Sequence, residues 1–359
     1  MNIEVLVNFD DFWSRLQSDM ATARTSIRLQ TFALEGDSVG QKLSTALLSS
    51  SAPDKRILAD SFTRVVLSDR FRYAPANWFA ADLNHEARET SAMTGRLKAA
   101  GVQIKFTNPY GLSPRKLLAR NHKKLALIDD RVAYFGGINF SEHNAAWHDM
   151  MFRIEDAQVA TFLNRDFLCT WSGQDCAVRE QFDGIDIFTL NGRTNRDGFE
   201  HVLKLIDAAR ETIFVESPYI TFPFYERLRN ASHRGVTVRI VTPEQNNWRF
   251  FSNYARLESA RSTIDLRLLQ GGMSHLKAML IDDRYLVAGS SNFDYFSYRI
   301  HQELLAVITA PALIAAFRER VMIPDLARAE STECHASPIS KLWLNWKMKL
   351  LDAAMTALT

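Results

Sequence analysis

Apolar and polar positions along the chain change period in a fixed order, and the order occurs twice. "DDFWSRLQSDM" (Asp10 to Met20) places apolar residues at helical spacing. It leads into "ARTSIRLQTFAL" (Ala23 to Leu34), which reads as a helix end running into an apolar strand. "FEHVLKLIDAA" and "ARETIFVESPYI", ending at Ile220, repeat that reading in the second half. "LKAAGVQIKF" and "ASHRGVTVRIV" each predict a helix closed by Gly and followed by a β-branched strand. Strands alternating with helices predict an α/β sandwich in each half. The join is placed in the polar stretch Trp171 to Asp186, giving domains over 1–178 and 179–328. After about Asp325 the rhythm stops, and 329–359 reads as a polar linker and a final helix.

The repeat is strongest in "NHKKLALIDDRVAYFGGINF" (Asn121 to Phe140) and "SHLKAMLIDDRYLVAGSSNF" (Ser274 to Phe293). Aligned without a gap, His122 meets His275, Lys124 meets Lys277, Asp129 meets Asp282, Gly136 meets Gly289 and Asn139 meets Asn292. The offset is 153 throughout (275 minus 122). In each stretch an alternating run meets an Asp-Asp-Arg turn and then a second strand. Polar identities held in register imply two copies of one unit and a shared task for the residues kept.

Residues two apart on a strand share a face, so His122 projects with Lys124 and His275 with Lys277. Burying an unpaired ammonium is costly, which makes the pair an odd choice for a core. It suits an anion site. Lys124 and Lys277 would hold negative oxygens, and the histidines would do nucleophilic or proton-transfer work. Glycines permit close backbone approach, and Asn139 and Asn292 can donate amide hydrogens to the same anion. Two such units facing one centre would suit a phosphoryl group, whose charge is spread over its oxygens. Each half also offers an acid downstream: Asp149 in "AWHDMMF" and Glu303 in "YRIHQEL". Both are expected to sit on the far ring nitrogen of a His, fixing its tautomer.

Composition narrows the setting. The chain has 359 residues, 47% hydrophobic and 23% charged, as a soluble globular protein of two ordinary domains does. A net charge of +2 demands no nucleic acid, so any polyanion site must come from local placement of Lys and Arg. Cys169, Cys176 and Cys334 offer neither an even framework nor metal spacing. They read as small buried hydrophobes, and the compartment as reducing and cytosolic. The start, "MNIEVLVNFDDFW", has no signal-peptide pattern, and no window suits a spanning helix.

The two His-x-Lys-x4-Asp units, each followed by a Gly-rich turn and Asn, resemble the phospholipase D superfamily. "RNHKKLALID…GGIN…WHD" and "HLKAMLID…GSSNFD" are similar more narrowly to bacterial cardiolipin synthases, over roughly residues 1 to 325. The resemblance implies two pseudo-symmetric α/β-sandwich domains with the active site at their interface. It implies that one His, assigned as His122, attacks a phosphodiester phosphorus while the other, His275, protonates the leaving alkoxide. An incoming alcohol or water then resolves the phosphohistidine, with no metal or other cofactor. In such proteins the motif Asp supports the strand pair, so Asp129, Asp282, Gly136, Gly137 and Gly289 are expected to be structural. The sequence departs from the pattern at His301, where such proteins often carry Asn. It departs again at "SSSAPDKRILADSF", which lacks the usual Arg-Gly-Val lead-in.

The expected activity is a phosphatidyltransferase using phosphatidylglycerol as donor and an anionic glycerophospholipid as substrate. Hydrolysis of phosphodiesters at the same site, as a phospholipase D or nuclease, is the alternative. A non-enzymatic scaffold conflicts with intact His pairs, and a nuclease with near-neutral charge. Two basic features are weighed as membrane-facing, in keeping with peripheral attachment to the inner membrane from the cytoplasm. One is Arg115, Lys116, Arg120 and Lys123 ahead of the first motif, which otherwise form a solvated basic face. The other is the helix in 339–359, with Trp343, Trp346 and Lys349.

Overall fold

The computed structural model describes residues 1–111 and 113–332. The helix expected over 339–359, and Cys334 with it, lies outside the described residues. Met1–Cys176 together with Gln302–Leu304 form one compact unit, and Ala177–His301 with the chain from Leu305 onward form a second.

In the first unit a mixed sheet runs, in spatial order, Asn2–Val7, Met150–Glu155, Val132–Gly136, Leu125–Ile128, Ser26–Thr31, Asp54–Asp60 and Gln103–Thr107. The last three are mutually parallel, and the remaining neighbours pair antiparallel. The motif strand Leu125–Ile128 is central and wholly buried, which explains its unbroken apolar run. Alternation splits the next strand between two layers. Val132 and Tyr134 join a core with Leu16, Met20, Leu43, Leu47, Met93 and Leu97, contributed by the helices Asn8–Thr22, Ser38–Ser49 and Ala81–Ala99. The helix Ala157–Trp171 packs against the same strand and buries Val159, Phe162, Leu163 and Phe167. Its start is set by Asp156, whose carboxylate accepts the Gln158 and Val159 N–H groups.

The second unit repeats this plan around Ala278–Ile281 and Tyr285–Gly289. Thr212–Glu216 lies antiparallel to the first of these and parallel to Thr237–Pro243, which in turn lies parallel to Asp265–Leu269. Two features differ from the sequence expectation. The α/β rhythm does not end at Asp325, because Ala329–Ser331 pairs antiparallel with Asp265–Leu269 as an edge strand. Three residues carry too little pattern to announce a strand. Cys169 and Cys176 are not separate small hydrophobes. They form a disulfide across a Cα separation of 6.3 Å, well inside the bridging range. The pairing removes the argument for a reducing compartment that rested on cysteine number.

Glu35, just beyond the strand Ser26–Thr31, is 4% exposed. Its carboxyl accepts the Ser68 N–H at 3.4 Å, and one of its oxygens has no hydrogen-bond partner. Burial, and then the neighbouring Glu86, push its pKa up to about 9. The folded protein therefore holds a proton that the unfolded chain releases above 4.5. Its contribution to stability is in place below that pH and is lost as pH rises toward 9. Glu35→Gln keeps the shape and lets an amide donate to Glu86. Melting curves across pH 5 to 9 are expected to cross. The variant should match or fall below the parent at the acid end and exceed it by a few degrees at the alkaline end. Parallel curves would remove this role for Glu35.

Candidate active site

Each motif hairpin is closed by two aspartates in left-handed backbone conformation. Asp129 and Asp130 have φ of 54° and 49°, and Asp282 and Asp283 have 49° and 50°. Arg131 N–H returns to the Ile128 carbonyl at 3.0 Å, and Arg284 N–H to that of Ile281 at 2.9 Å. Positive φ at both central residues is the hairpin turn geometry that Asp tolerates better than branched residues. The carboxylates reach across to the segment before the neighbouring strand. Asp129 accepts the N–H groups of Arg24, Thr25 and Ser26 at 2.7–2.9 Å, and Asp282 those of Arg210, Glu211 and Thr212 at 2.9–3.0 Å. Burial opposes ionisation at both aspartates, but these donors outweigh it and hold both below the usual carboxylate range.

At the other end of the hairpin in the first unit, His122 is 6% exposed. Its N–H donates to the Gln302 carbonyl at 2.9 Å, and Gln302 N–H to the Arg120 carbonyl at 2.9 Å. That bridge places Glu303 against the imidazole. His122 Nδ1 lies 3.0 and 3.2 Å from the two carboxylate oxygens of Glu303, which is fully buried. In a neutral imidazole that carboxylate favours the tautomer with the proton on Nδ1. Lys124 Nζ donates to the His122 carbonyl at 2.8 Å and lies 5.3 Å from the centre of the Phe32 ring. The Phe32 ring also meets the imidazole edge-on at 5.0 Å.

The second unit repeats the Lys and aromatic parts of this arrangement. His275 is 5% exposed, and Lys277 Nζ donates to the His275 carbonyl. The Tyr219 ring stands edge-on to the imidazole at 6.0 Å, and its hydroxyl donates to Asn247 at 2.6 Å. Asn139 and Asn292 are both buried. The Asn139 side-chain oxygen accepts from Thr31 and the Ala33 N–H at 3.3 and 3.4 Å, so its –NH2 is the end that can donate to an anion. Gly137 has a steric reason to be glycine, since an added Cβ would lie 2.1 Å from Asp149 Oδ1. At Gly136 it would lie 2.3 Å from the Met150 carbonyl oxygen.

Glu303 sits on a ring nitrogen of a motif His as expected, and that His is His122: the Asn121–Gln302 bridge sets its place, although Glu303 lies 28 residues past His275 in the chain. Arg120 and Lys123 do not form a solvated or lipid-facing basic surface. Arg120 pairs with buried Asp60 at 3.2 Å, and Lys123 with Asp166 at 2.7 Å, each cation being at least 95% buried. An alternating strand read two residues earlier would have turned Lys123 inward, away from the face of His122 and Lys124. Phe32 and Tyr219 stand beside the histidines, a placement that the sequence pattern does not announce. Their only signal is an aromatic just after the strand paired with each motif.

Residues 16–171 and 202–322 match the family described as cardiolipin synthase, phospholipase D-like domain. The chain belongs to this family. Among curated proteins the chain is similar to cardiolipin synthase B of Salmonella typhimurium, 29% identical over 85% of this chain and 76% of that one. The major cardiolipin synthase of Bacillus subtilis is 24% identical over 90% of this chain and 69% of that one. Among solved structures, phosphatidylserine synthase from Haemophilus influenzae superposes with a TM-score of 0.67 at 16% identity. That match covers 98% of this chain and 94% of that one, and supports the two-domain phospholipase D fold. The chain is accordingly a phospholipase D-type phosphatidyltransferase. Among the described residues no helix is long and apolar enough to cross a membrane.

If Glu303 holds His122 in its reactive tautomer, removing its charge should damage turnover more than binding. Glu303→Gln is expected to lower kcat about 10²-fold or more with KM changed little, and Glu303→Asp to retain part of the loss. Steady-state kinetics on both variants, with melting curves to confirm folding, test this. A kcat near that of the parent for Glu303→Gln would rule it out.

Proposed function

We propose that the chain transfers a phosphatidyl group from phosphatidylglycerol through a phosphohistidine on His122, with a second lipid alcohol as acceptor. The observation that carries this reading is the buried Glu303 carboxylate on His122 Nδ1, which leaves Nε2 as the nucleophile. His122 Nε2 attacks the phosphorus, and the bond from phosphorus to the glycerol headgroup oxygen breaks. His275 gives that oxygen its proton. It then takes a proton from the incoming alcohol, whose oxygen displaces His122 from phosphorus and regenerates both histidines. Lys124 and Lys277, with the amides of Asn139 and Asn292, hold the non-bridging oxygens where charge gathers. Backing each ammonium onto the carbonyl of its own motif His couples phosphate position to ring position within one strand. The same intermediate met by water would give hydrolysis, so the product distribution reports how well the acceptor alcohol competes.

The test separates the two histidines. With phosphatidylglycerol vesicles and mass-spectrometric detection of cardiolipin, His122→Ala and His275→Ala are each expected to lose at least about 10³-fold in turnover. A p-nitrophenyl phosphodiester leaves without a proton, so His275→Ala should recover much of its first step on it while His122→Ala should not. Recovery by His122→Ala instead would reverse the assignment. Full activity of either variant on lipid would remove the two-histidine mechanism.

A further inference from the structure

The first unit carries an aromatic projection that the catalytic chemistry does not use. Between the strand Asp54–Asp60 and the helix Ala81–Ala99, a short hairpin pairs Val66 with Phe71 and Leu67 with Arg70. Its turn residues Ser68 and Asp69 both have positive φ, and Pro75–Asn77 form a single helical turn after it. Leu67 and Leu83 anchor this segment at 1% exposure each. Its outer side is the reverse: Phe71, Tyr73, Trp78 and Phe79 are 49%, 54%, 60% and 92% exposed.

The projection is built, not frayed. Trp78 Nε1 donates to the Tyr73 carbonyl and Asn77 Nδ2 to the Phe71 carbonyl, both at 2.9 Å. Arg72 N–H donates to the Val65 carbonyl at 2.8 Å, and Arg70 pairs with Asp82 at 2.5 Å. Asp69 is engaged by His143 at 3.0 Å. The run from Arg70 to Ala81, "RFRYAPANWFAA", holds two arginines and no acid. Arg72 lies 5.8 Å from the Tyr73 ring centre, so a cation stands among the exposed rings. Four large rings held out to water within nine residues are an interaction surface. Four exposed rings, two of them (Tyr73 and Trp78) amphipathic, stand beside Arg72, and the flanking Asp69 and Asp82 are engaged by His143 and Arg70; this matches the head-group boundary of an anionic bilayer better than the mixed charge of a typical protein rim.

We propose that this projection, Phe71 to Phe79, is the membrane-docking surface of the protein, with Phe79 and Trp78 entering the head-group boundary of an anionic phospholipid bilayer and Arg72 meeting lipid phosphates. The inference rests on the reading that the substrate is a bilayer lipid, since an enzyme of that kind must reach its donor without extracting it far from the membrane.

Vesicles of phosphatidylglycerol and phosphatidylcholine serve as the probe, with the full chain throughout. Phe79→Asp is expected to weaken co-sedimentation at least tenfold, and Arg72→Gln to weaken it less and to lower its salt sensitivity. Both should melt as the parent does and cleave a soluble p-nitrophenyl phosphodiester at the parental rate. Phe79→Trp should keep binding, and its added fluorescence should be quenched by lipids brominated on the acyl chain. Co-sedimentation of Phe79→Asp equal to the parent, or an unquenched Phe79→Trp, would overturn the proposal. So would a parent chain that fails to sediment with these vesicles. If the parent and Phe79→Trp bind as expected but no lipid product forms, docking stands and the proposed transferase reading fails instead.

Discussion

A carboxylate that collects three backbone N–H groups fixes each half of this protein. Asp129 and Asp282 stand in the left-handed turns of their hairpins and reach the residues entering the adjacent strand. Charge-assisted bonds to backbone of this kind are strong and directional. They lock the motif strand to its neighbour in one register, Gln30 opposite Leu125 in the first unit and Glu216 opposite Ala278 in the second. A one-residue slip would turn every side chain to the other face. The turn carboxylate therefore decides, from the far end of a short strand, that His and Lys emerge on a common side.

That placement requires charge to be buried, and the surroundings show how the cost is met. Lys124, Lys277 and Lys123 are each 1% exposed. An isolated ammonium at that depth would lose its proton or destabilise the fold. Lys123 is answered by a full carboxylate, Asp166. Lys124 and Lys277 meet the carbonyl dipoles of their own motif histidines. A dipole steadies a cation without neutralising it. Lys123 thus has the bonding of a structural ion pair, whereas each motif lysine is tied to the backbone of its own motif histidine.

The repeat, its offset and the residues it preserves were legible in the sequence because each is local to one strand–turn–strand unit. The α/β plan followed from helix and strand periods that are equally local. What escaped depends on contacts between distant segments. Glu303 and His122 are 181 residues apart, and nothing in either stretch announces the Asn121–Gln302 bridge that joins them. Arg120 and Lys123 read as a basic face because Asp60 and Asp166 are 60 and 43 residues away from them respectively. The Cys169–Cys176 bridge escapes the sequence for another reason. Three cysteines discourage pairing on number alone, but the turn after the helix Ala157–Trp171 brings two of them to bridging distance.

The two halves have diverged behind their motifs. In the first unit Gln30 Nε2 donates to Asn121, the residue before His122, at 2.8 Å. The corresponding positions of the second unit are Glu216 and Ser274, and there the Ser274 hydroxyl donates to Glu216 at 2.7 Å. An ionised Glu216 would put a bare negative charge behind His275 where the first unit has a neutral amide. Burial, and then the charge of Asp325, raise the Glu216 carboxyl well above its ordinary range, while Arg328 pairs with Asp325 at 2.5 Å. Burial and the neighbouring Asp325 thus both disfavour a charge on Glu216. A protonated Glu has nearly the shape and charge of Gln. Each motif strand is therefore backed by a polar side chain bonded to the residue before the motif His, and in the second unit burial works against the charge that Glu would otherwise add.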